Sequence, residues 1–280
     1  MTCAARPLDR FPLVRTQNVD EMYAAMERVY TRPRLELPAS TRKVDAALNY
    51  LPMSHIGLGY TTYGVDLTIA YPESHRVCQS FPIAGCGEVK SGGLDCRLDP
   101  GHGVVASPGA TSTTRINGRF QNILLVMEPA ALARKLSALT GQSIGSPIRC
   151  EPVQDYTRPA AKALREHVLC AVALLNAPPV TIPETLLAAF EESLAVIFLR
   201  ANRHNYSHLL EGEAKYAAPW QVRRGEDYVA ATPDEPMALE ALTEVTGVSA
   251  LSLLRSFKAR HGCSPRQFIA QLRASRRRPQ

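Results

Sequence analysis

The texture of residues 43–127 limits the fold more than anything else in the chain. Short apolar-polar segments follow one another there, each cut off by glycine or proline. Six stand out, at 47–52, 55–62, 65–71, 76–83, 103–107 and 120–127. The punctuation is Tyr63-Gly64, Ala84-Gly85-Cys86-Gly87, Ser91-Gly92-Gly93, Pro100-Gly101 and Pro108-Gly109. Many short strands at this spacing predict an all-β sandwich or barrel, whose interior is either a packed core or a ligand cavity.

Helical patterns flank this region. Met22, Met26, Val29 and Tyr30 recur at helical spacing over 18–30, with Asn18 or Asp20 as cap. Pro129 suits a first helical position, Leu132, Leu136 and Leu139 share a face, and Gly141 supplies a stop. Two longer patterns run over 158–176 and 182–202, with Leu164, Val168, Ala171, Val172 and Leu175 inward in the first and Leu186, Phe190, Leu194, Ile197 and Phe198 in the second. Both hold more apolar residues than one buried face needs, which fits a dimer interface. Residues 203–218 are polar and read as a linker.

The charge is lopsided. The chain carries 32 basic and 26 acidic residues, a net +6. Residues 246–280 hold eight of the basic residues and no acid, so the rest of the chain is slightly acidic. An acid-free stretch of this kind suits phosphate neutralisation. It overlaps a helix–turn–helix pattern. Leu239, Leu242 and Val245 stripe a short helix, Gly247 turns the chain, and Ser249 caps a second helix whose Leu253 and Phe257 face back. Gly262 ends that helix and Ser264-Pro265 opens another. Such a second helix lies in the DNA major groove.

These residues resemble the AraC/XylS family of transcription regulators. The matching string is Gly247-Val248-Ser249, Leu253, Arg255, Phe257-Lys258, then Gly262, Ser264-Pro265 and Phe268. Trp220-Gln221-Val222 with Glu226 and Tyr228-Val229 resembles the first helix of the same domain. Leu139-Thr140-Gly141-Gln142 and His204-Asn205-Tyr206-Ser207 resemble the AraC-type N-terminal sensor domain. The resemblance implies an α+β chain in three parts. Residues 1–202 would be a cupin-like β-barrel with flanking helices that senses a small molecule, aromatic or another carbon source, and forms a homodimer. A linker at 203–218 would precede a small all-α helix–turn–helix domain at 219–280. That domain would bind promoter DNA and act on RNA polymerase.

The chain departs from the family pattern near its end. The family domain joins two helix–turn–helix units, and here an Arg-rich tail stands where the second is expected, as in a truncated, frameshifted or naturally short form. Leu251 stands where a polar residue is usual and Thr243 where alanine is usual. The candidate DNA contacts are Ser249 at the helix start, the outward Ala250, Leu251, Leu254 and Arg255, of which Arg255 reaches a guanine edge or a phosphate, and Ser252, Lys258, Arg260 and Arg266 toward phosphates. One reading helix predicts weak DNA binding with little sequence preference.

Other chemistry is weaker in this sequence. The cysteines at 3, 78, 86, 96, 150, 170 and 263 form no CxxC pair and are odd in number, so they read as reduced thiols. His55, His75 and His102 show no cupin metal spacing, and His204 with His208 reads as structural. No catalytic set, metal site or cofactor is expected, and the chain reads as non-enzymatic. Residues 1–15 lack an apolar run, and no stretch is long enough to span a bilayer, which predicts a cytoplasmic protein without a membrane partner. Two rivals remain. One is a dimerising sensor that blocks full-length relatives, and the other is a cupin-type metal-dependent enzyme.

Overall fold

The computed structural model describes residues 6–29, 32–177, 182–210, 219–231, 239–248, 250–265 and 267–270. The described chain divides into two compact units, one from residues 1–132 and 147–205 and the other from 133–146 and 206–280.

The first unit is rich in strands. In order it holds β1 (Pro12–Thr16), α1 (Val19–Val29), β2 (Arg34–Glu36), β3 (Ala46–Pro52), β4 (Ile56–Thr62) and β5 (Leu67–Tyr71). Then come β6 (Val77–Ala84), β7 (Gly87–Ser91), β8 (Leu94–Leu98), β9 (His102–Ala106), β10 (Ser112–Ile116) and β11 (Gln121–Met127). After α2 (Pro129–Thr140), which runs from this unit into the second, it is completed by β12 (Val153–Asp155), α3 (Pro159–Asn176) and α4 (Glu184–Ala201). Each of the six predicted segments forms a strand, with ends shifted by a residue or two. Asn18 caps α1, its Oδ1 accepting from the backbone N–H of Asp20 at 2.7 Å and of Glu21 at 3.2 Å.

The strands pair into two antiparallel sheets. One runs β1-β3-β4-β11-β6-β9-β12 and the other β2-β5-β10-β7-β8. Among the described residues both sheets are open, so the expected closed barrel is corrected to a sheet-rich, cupin-like body of two layers. Short strands and glycine turns cause this. β6 and β9 pair only through Cys78↔Ala106 and Gln79↔Val105. Ser91 pairs with Leu94 around Gly92 and Gly93, both at positive φ. That two-residue loop matches the twist of the strands it joins.

Alternation decides what each layer buries. One core lies between the sheets, where Leu48, Leu67, Ile69, Val89, Leu98 and Ile116 meet Met22 and Met26 of α1. Each fully buried side chain of this size contributes about 1.5–3 kcal/mol. The opposite face of β6 carries Gln79 and Phe81. Phe81 stacks on Tyr156 at 5.2 Å between ring centroids, and Gln79 accepts from Asn202 Nδ2, just beyond α4, at 3.0 Å. Leu164, Val168, Ala171 and Leu175 of α3 and Phe190, Leu194 and Phe198 of α4 are buried as their spacing predicts. Leu186, expected inward, is instead exposed near the start of α4, and Leu174 of α3 is exposed too.

The start of the predicted linker is pinned. His204 bridges to Cys150, and its Nε2 lies 3.0 Å from the Leu199 carbonyl. The backbone N–H of Arg149 donates to Asn205 Oδ1 at 2.9 Å. Residues 207–209 form a short 3-10 turn, and 211–218 lie outside the described residues.

The second unit contains α5 (Pro219–Ala231), α6 (Leu239–Thr246) and α7 (Ala250–His261). Their core is Val222, Val229, Leu242, Val248, Leu253, Phe257 and Ile269. Gly247 sits at φ +65°, and its N–H donates to the Thr243 carbonyl at 2.9 Å, which closes α6. Gly262 ends α7 in the same way at φ +70°. Pro265 and residues 267–270 are helical. The tight approach between helices falls at Gly225, where an added Cβ would lie 3.1 Å from Thr246 Cγ2. Thr243, standing where alanine is usual, is half-buried.

Candidate functional site

Between the two sheets the core opens into a cavity of about 320 Å³. Strand alternation sorts its lining. Cys78 and Ser80 of β6, Val104 and Ala106 of β9, and Asn122 and Leu124 of β11 face it from the seven-stranded sheet. Ile69 and Tyr71 of β5, Val89 of β7, and Ser112, Thr114 and Ile116 of β10 face it from the other. Arg28 of α1, Tyr63 after β4, Leu98 of β8, Phe120 before β11 and Ser74, His75 and Arg76 of the β5–β6 loop add to the lining. Arg28, His75 and Arg76 are exposed, so they mark the mouth.

The interior combines apolar walls with a few neutral polar groups. Burial pushes the Tyr63 hydroxyl far up, outweighing its hydrogen bonds to Thr61 and Tyr71. Burial, with Tyr63 beside it, does the same to Tyr71. Burial pushes the Cys78 thiol up to about 11, against a hydrogen bond from Ser74. All three groups are therefore neutral near pH 7. Ser80 donates to Asn122 Oδ1 at 2.9 Å. A cavity of this size with an apolar wall and convergent polar groups is built like a small-molecule site.

A buried hydrogen-bond chain connects this wall to the end of α4. The Ser80 carbonyl accepts from the Tyr156 hydroxyl. Tyr156 accepts from Gln79 Nε2 at 3.3 Å, and Gln79 accepts from Asn202. Gly103 makes room for it, because a Cβ there would lie 2.2 Å from the Ser80 carbonyl oxygen and 2.4 Å from the Tyr156 hydroxyl. None of these residues was singled out in the sequence. They come from four separate places in the chain, β6, β9 and the residues just after β12 and α4, so no local spacing announces them.

The histidines take other roles. His55 Nδ1 lies 2.9 Å from Glu128, and His102 Nδ1 lies 2.9 Å from Asp99. Among the described residues no cluster of three or more His, Cys, Asp or Glu is placed to hold a metal ion. The six described cysteines are free thiols. No described helix is long and apolar enough to cross a membrane.

The basic helix α7 is the second candidate. Leu253 and Phe257 are buried, while Leu254, Arg255, Lys258 and Arg260 are exposed. Arg260 Nε lies 3.0 Å from Glu226 of α5, and His261 lies 2.6 Å from the same oxygen. Ser252, expected toward phosphate, is instead only 3% exposed and stands on the inward face with Ser256. Ser256 donates to the Ser252 carbonyl at 2.7 Å, so a hydroxyl is satisfied within the helix and can be buried. Ala250 and Leu251 belong to α7, but their side chains lie outside the description, as do Ser249 and Arg266 altogether.

Comparison with known proteins follows the strand-rich unit. Residues 22–200 match the AraC-binding-like domain. The crystal structure of the AraC-like transcriptional activator CuxR is similar over 94% of both chains, with a TM-score of 0.51 and 13% identity. The cupin domain of Cnp3 from Schizosaccharomyces pombe aligns over 31% of this chain and 66% of its own, with a TM-score of 0.28 and 11% identity. KdgF from Halomonas sp. aligns over 33% and 92%, with a TM-score of 0.27 and 11% identity. A search of curated proteins finds no match. With the matched segment covering most of the chain, including nearly every strand of the two-layered body and its cavity, this protein belongs to the AraC-binding-like domain family.

Proposed function

We propose that this chain is a ligand-responsive transcription regulator of AraC type, with a sensing cavity between its two sheets and a DNA-reading helix in α7. One observation carries the DNA assignment. α7 presents Arg255 and Lys258 on its exposed side, opposite Leu253 and Phe257, and bears no acid. α6, Gly247 and α7 then act as a helix–turn–helix with α7 in the major groove. Arg255 reaches a guanine edge or a phosphate, and Lys258 a phosphate. Leu254 offers apolar contact to a thymine methyl. Arg260 is shared with Glu226, so its contribution is smaller.

A bidentate arginine adds about 1–3 kcal/mol of discrimination, and α7 exposes two arginines, Arg255 and Arg260, the second shared with Glu226. The reading is therefore of weak, salt-sensitive binding with modest sequence preference. The effector shifts an equilibrium only as far as it prefers one conformation. Exposed Leu174 of α3 and Leu186 of α4 favour self-association of the sensor through these helices.

A gel-shift assay on duplexes selected from a random library tests this. Arg255→Ala should relax preference at one position, and Lys258→Ala should weaken all duplexes alike. Tight, salt-resistant binding by a monomer, or no recovered duplex at low salt, refutes the proposal.

A further inference from the structure

We infer that Tyr156, Gln79 and Asn202 form a two-state hydrogen-bond relay that ties the cavity wall at Ser80 to residues 202–205, where the chain leaves the strand-rich unit. This rests on the reading of the cavity as the sensing site and gives that site an output.

The relay starts where a strand ladder stops. β6 and β9 pair only at Cys78↔Ala106 and Gln79↔Val105, so the Ser80 carbonyl lies just past their last rung. The Tyr156 hydroxyl donates to that carbonyl instead. Alternation turns the Ser80 side chain into the cavity, where its hydroxyl donates to Asn122 Oδ1 at 2.9 Å. One residue thus carries a cavity contact on its side chain and the relay on its backbone.

Hydrogen-bond chemistry fixes the sense of every later link. A carbonyl only accepts, so Tyr156 gives its single proton to Ser80. Burial pushes the Tyr156 hydroxyl well above its usual range, so that proton stays in place. Tyr156 then accepts from Gln79, which meets it with Nε2 at 3.3 Å. That choice turns Gln79 Oε1 toward Asn202, which presents Nδ2 at 3.0 Å. The same Nδ2 reaches the Phe198 carbonyl at 3.0 Å. Asn202 Oδ1 is left buried, with no partner among the described residues.

Reversal of the chain is the second state. When Ser80 releases Tyr156, the hydroxyl can donate to Gln79 Oε1. Gln79 then turns its Nε2 to Asn202 Oδ1, and the bare acceptor is satisfied. Each orientation leaves one acceptor bare, Asn202 Oδ1 in the first and the Ser80 carbonyl in the second, which keeps the two in competition. An occupant that engages the Ser80–Asn122 pair biases that choice only as far as it prefers one orientation. The output falls on a short segment. The Asn202 N–H closes α4 on the Phe198 carbonyl at 3.1 Å, and the Asn205 N–H donates to the Arg149 carbonyl at 3.1 Å.

Hydrogen exchange of the full chain, read by mass spectrometry on peptides within 199–205, tests the relay. Tyr156→Phe keeps a ring to stack on Phe81 and removes the proton. Exchange at 202–205 should rise about tenfold, while β3, three strands away from β6, stays unchanged. Ser80→Ala removes the cavity hydroxyl and leaves the carbonyl. It should change exchange at 202–205 about threefold in the otherwise unaltered chain and no further in Tyr156→Phe. Should Tyr156→Phe fail to fold, Gln79→Met cuts the chain at the next link and enters the same comparison. No change at 202–205 in the cut variant, an equal rise in β3, or a Ser80→Ala effect of the same size with and without the Tyr156 hydroxyl would each overturn the relay. No ligand enters this comparison, so such a failure leaves the sensing cavity standing. The sensing reading fails separately: if the coupling is present and Tyr156→Phe binds a short DNA duplex with unchanged affinity, the relay holds and its output does not govern DNA binding.

Discussion

Replacing Phe257 by alanine should remove the folded state of the helical unit. The ring is fully buried at the centre of a core of seven buried residues. It meets Phe268 edge-on at 5.5 Å between centroids and lies 5.5 Å from the His261 ring. Phe-to-Ala substitution in a core costs about 3–5 kcal/mol, with the upper end reached where neighbours cannot collapse into the space. Collapse is limited here. Gly247 and Gly262 bracket α7, and Gly225 already brings α5 to near-contact with Thr246. A single core of this size supplies about 3–5 kcal/mol in total, so the loss matches the unit's whole stability. Hydrogen exchange followed by mass spectrometry reads this directly. Peptides covering α7 should lose amide protection in Phe257→Ala, while Leu254→Ala, on the exposed side of the same helix, should change it by less than about 0.5 kcal/mol. Retained protection in Phe257→Ala, corresponding to a cost below about 1 kcal/mol, would refute the packing argument.

Other consequences follow from the sheet-rich unit. Gly103→Ala should lower the urea midpoint by the equivalent of about 2–4 kcal/mol, since the methyl displaces the Ser80 carbonyl or the Tyr156 hydroxyl and breaks their hydrogen bond. An unchanged midpoint would mean that the chain through Gln79 is not tightly packed. Asn18→Ala should cost about 1 kcal/mol by uncapping α1, measured by thermal or urea unfolding, whereas Asn18→Gly should cost only a few tenths. Alkylation by iodoacetamide at pH 8 should label exposed Cys86 and Cys170 before Cys78, of which only about one in a thousand is thiolate when its pKa is near 11. Its rate should climb as pH rises toward 11, and labelling of Cys78 as fast as Cys86 at pH 8 would contradict its raised pKa.

Local signals carried most of the elements. Apolar-polar alternation marked β3, β4 and β11, and helical spacing with Asn18 as cap marked α1. β7, β8 and β10 escaped because each has one face in polar surroundings and few apolar residues. β7 buries Val89 alone, and β10 reads Ser-Thr-Thr-Arg-Ile. Only the Gly92-Gly93 turn hinted at the hairpin. The cavity was foreseeable as a property of the architecture but not residue by residue, because its lining converges from both sheets and α1. Helix phase placed Leu253 and Phe257 inward and Arg255 and Lys258 outward. It misplaced Ser252, since polarity alone suggested exposure while the buried face extends to a pair of small serines. The pairing of Arg260 with Glu226 joins residues 34 positions apart and left no local trace.

The salt dependence of DNA affinity tests the account most directly. Fluorescence anisotropy of the full chain on a short duplex, between about 50 and 200 mM salt, gives the slope of log K against log salt. Arg255, Lys258 and a partly engaged Arg260 predict two to three released counterions and a slope of about −2 to −3, with a Kd of roughly 10⁻⁴–10⁻⁶ M. Lys258→Ala should reduce the slope by about 1. A slope near zero, or no binding at the lowest salt, would contradict the assignment of α7 as the DNA-reading helix.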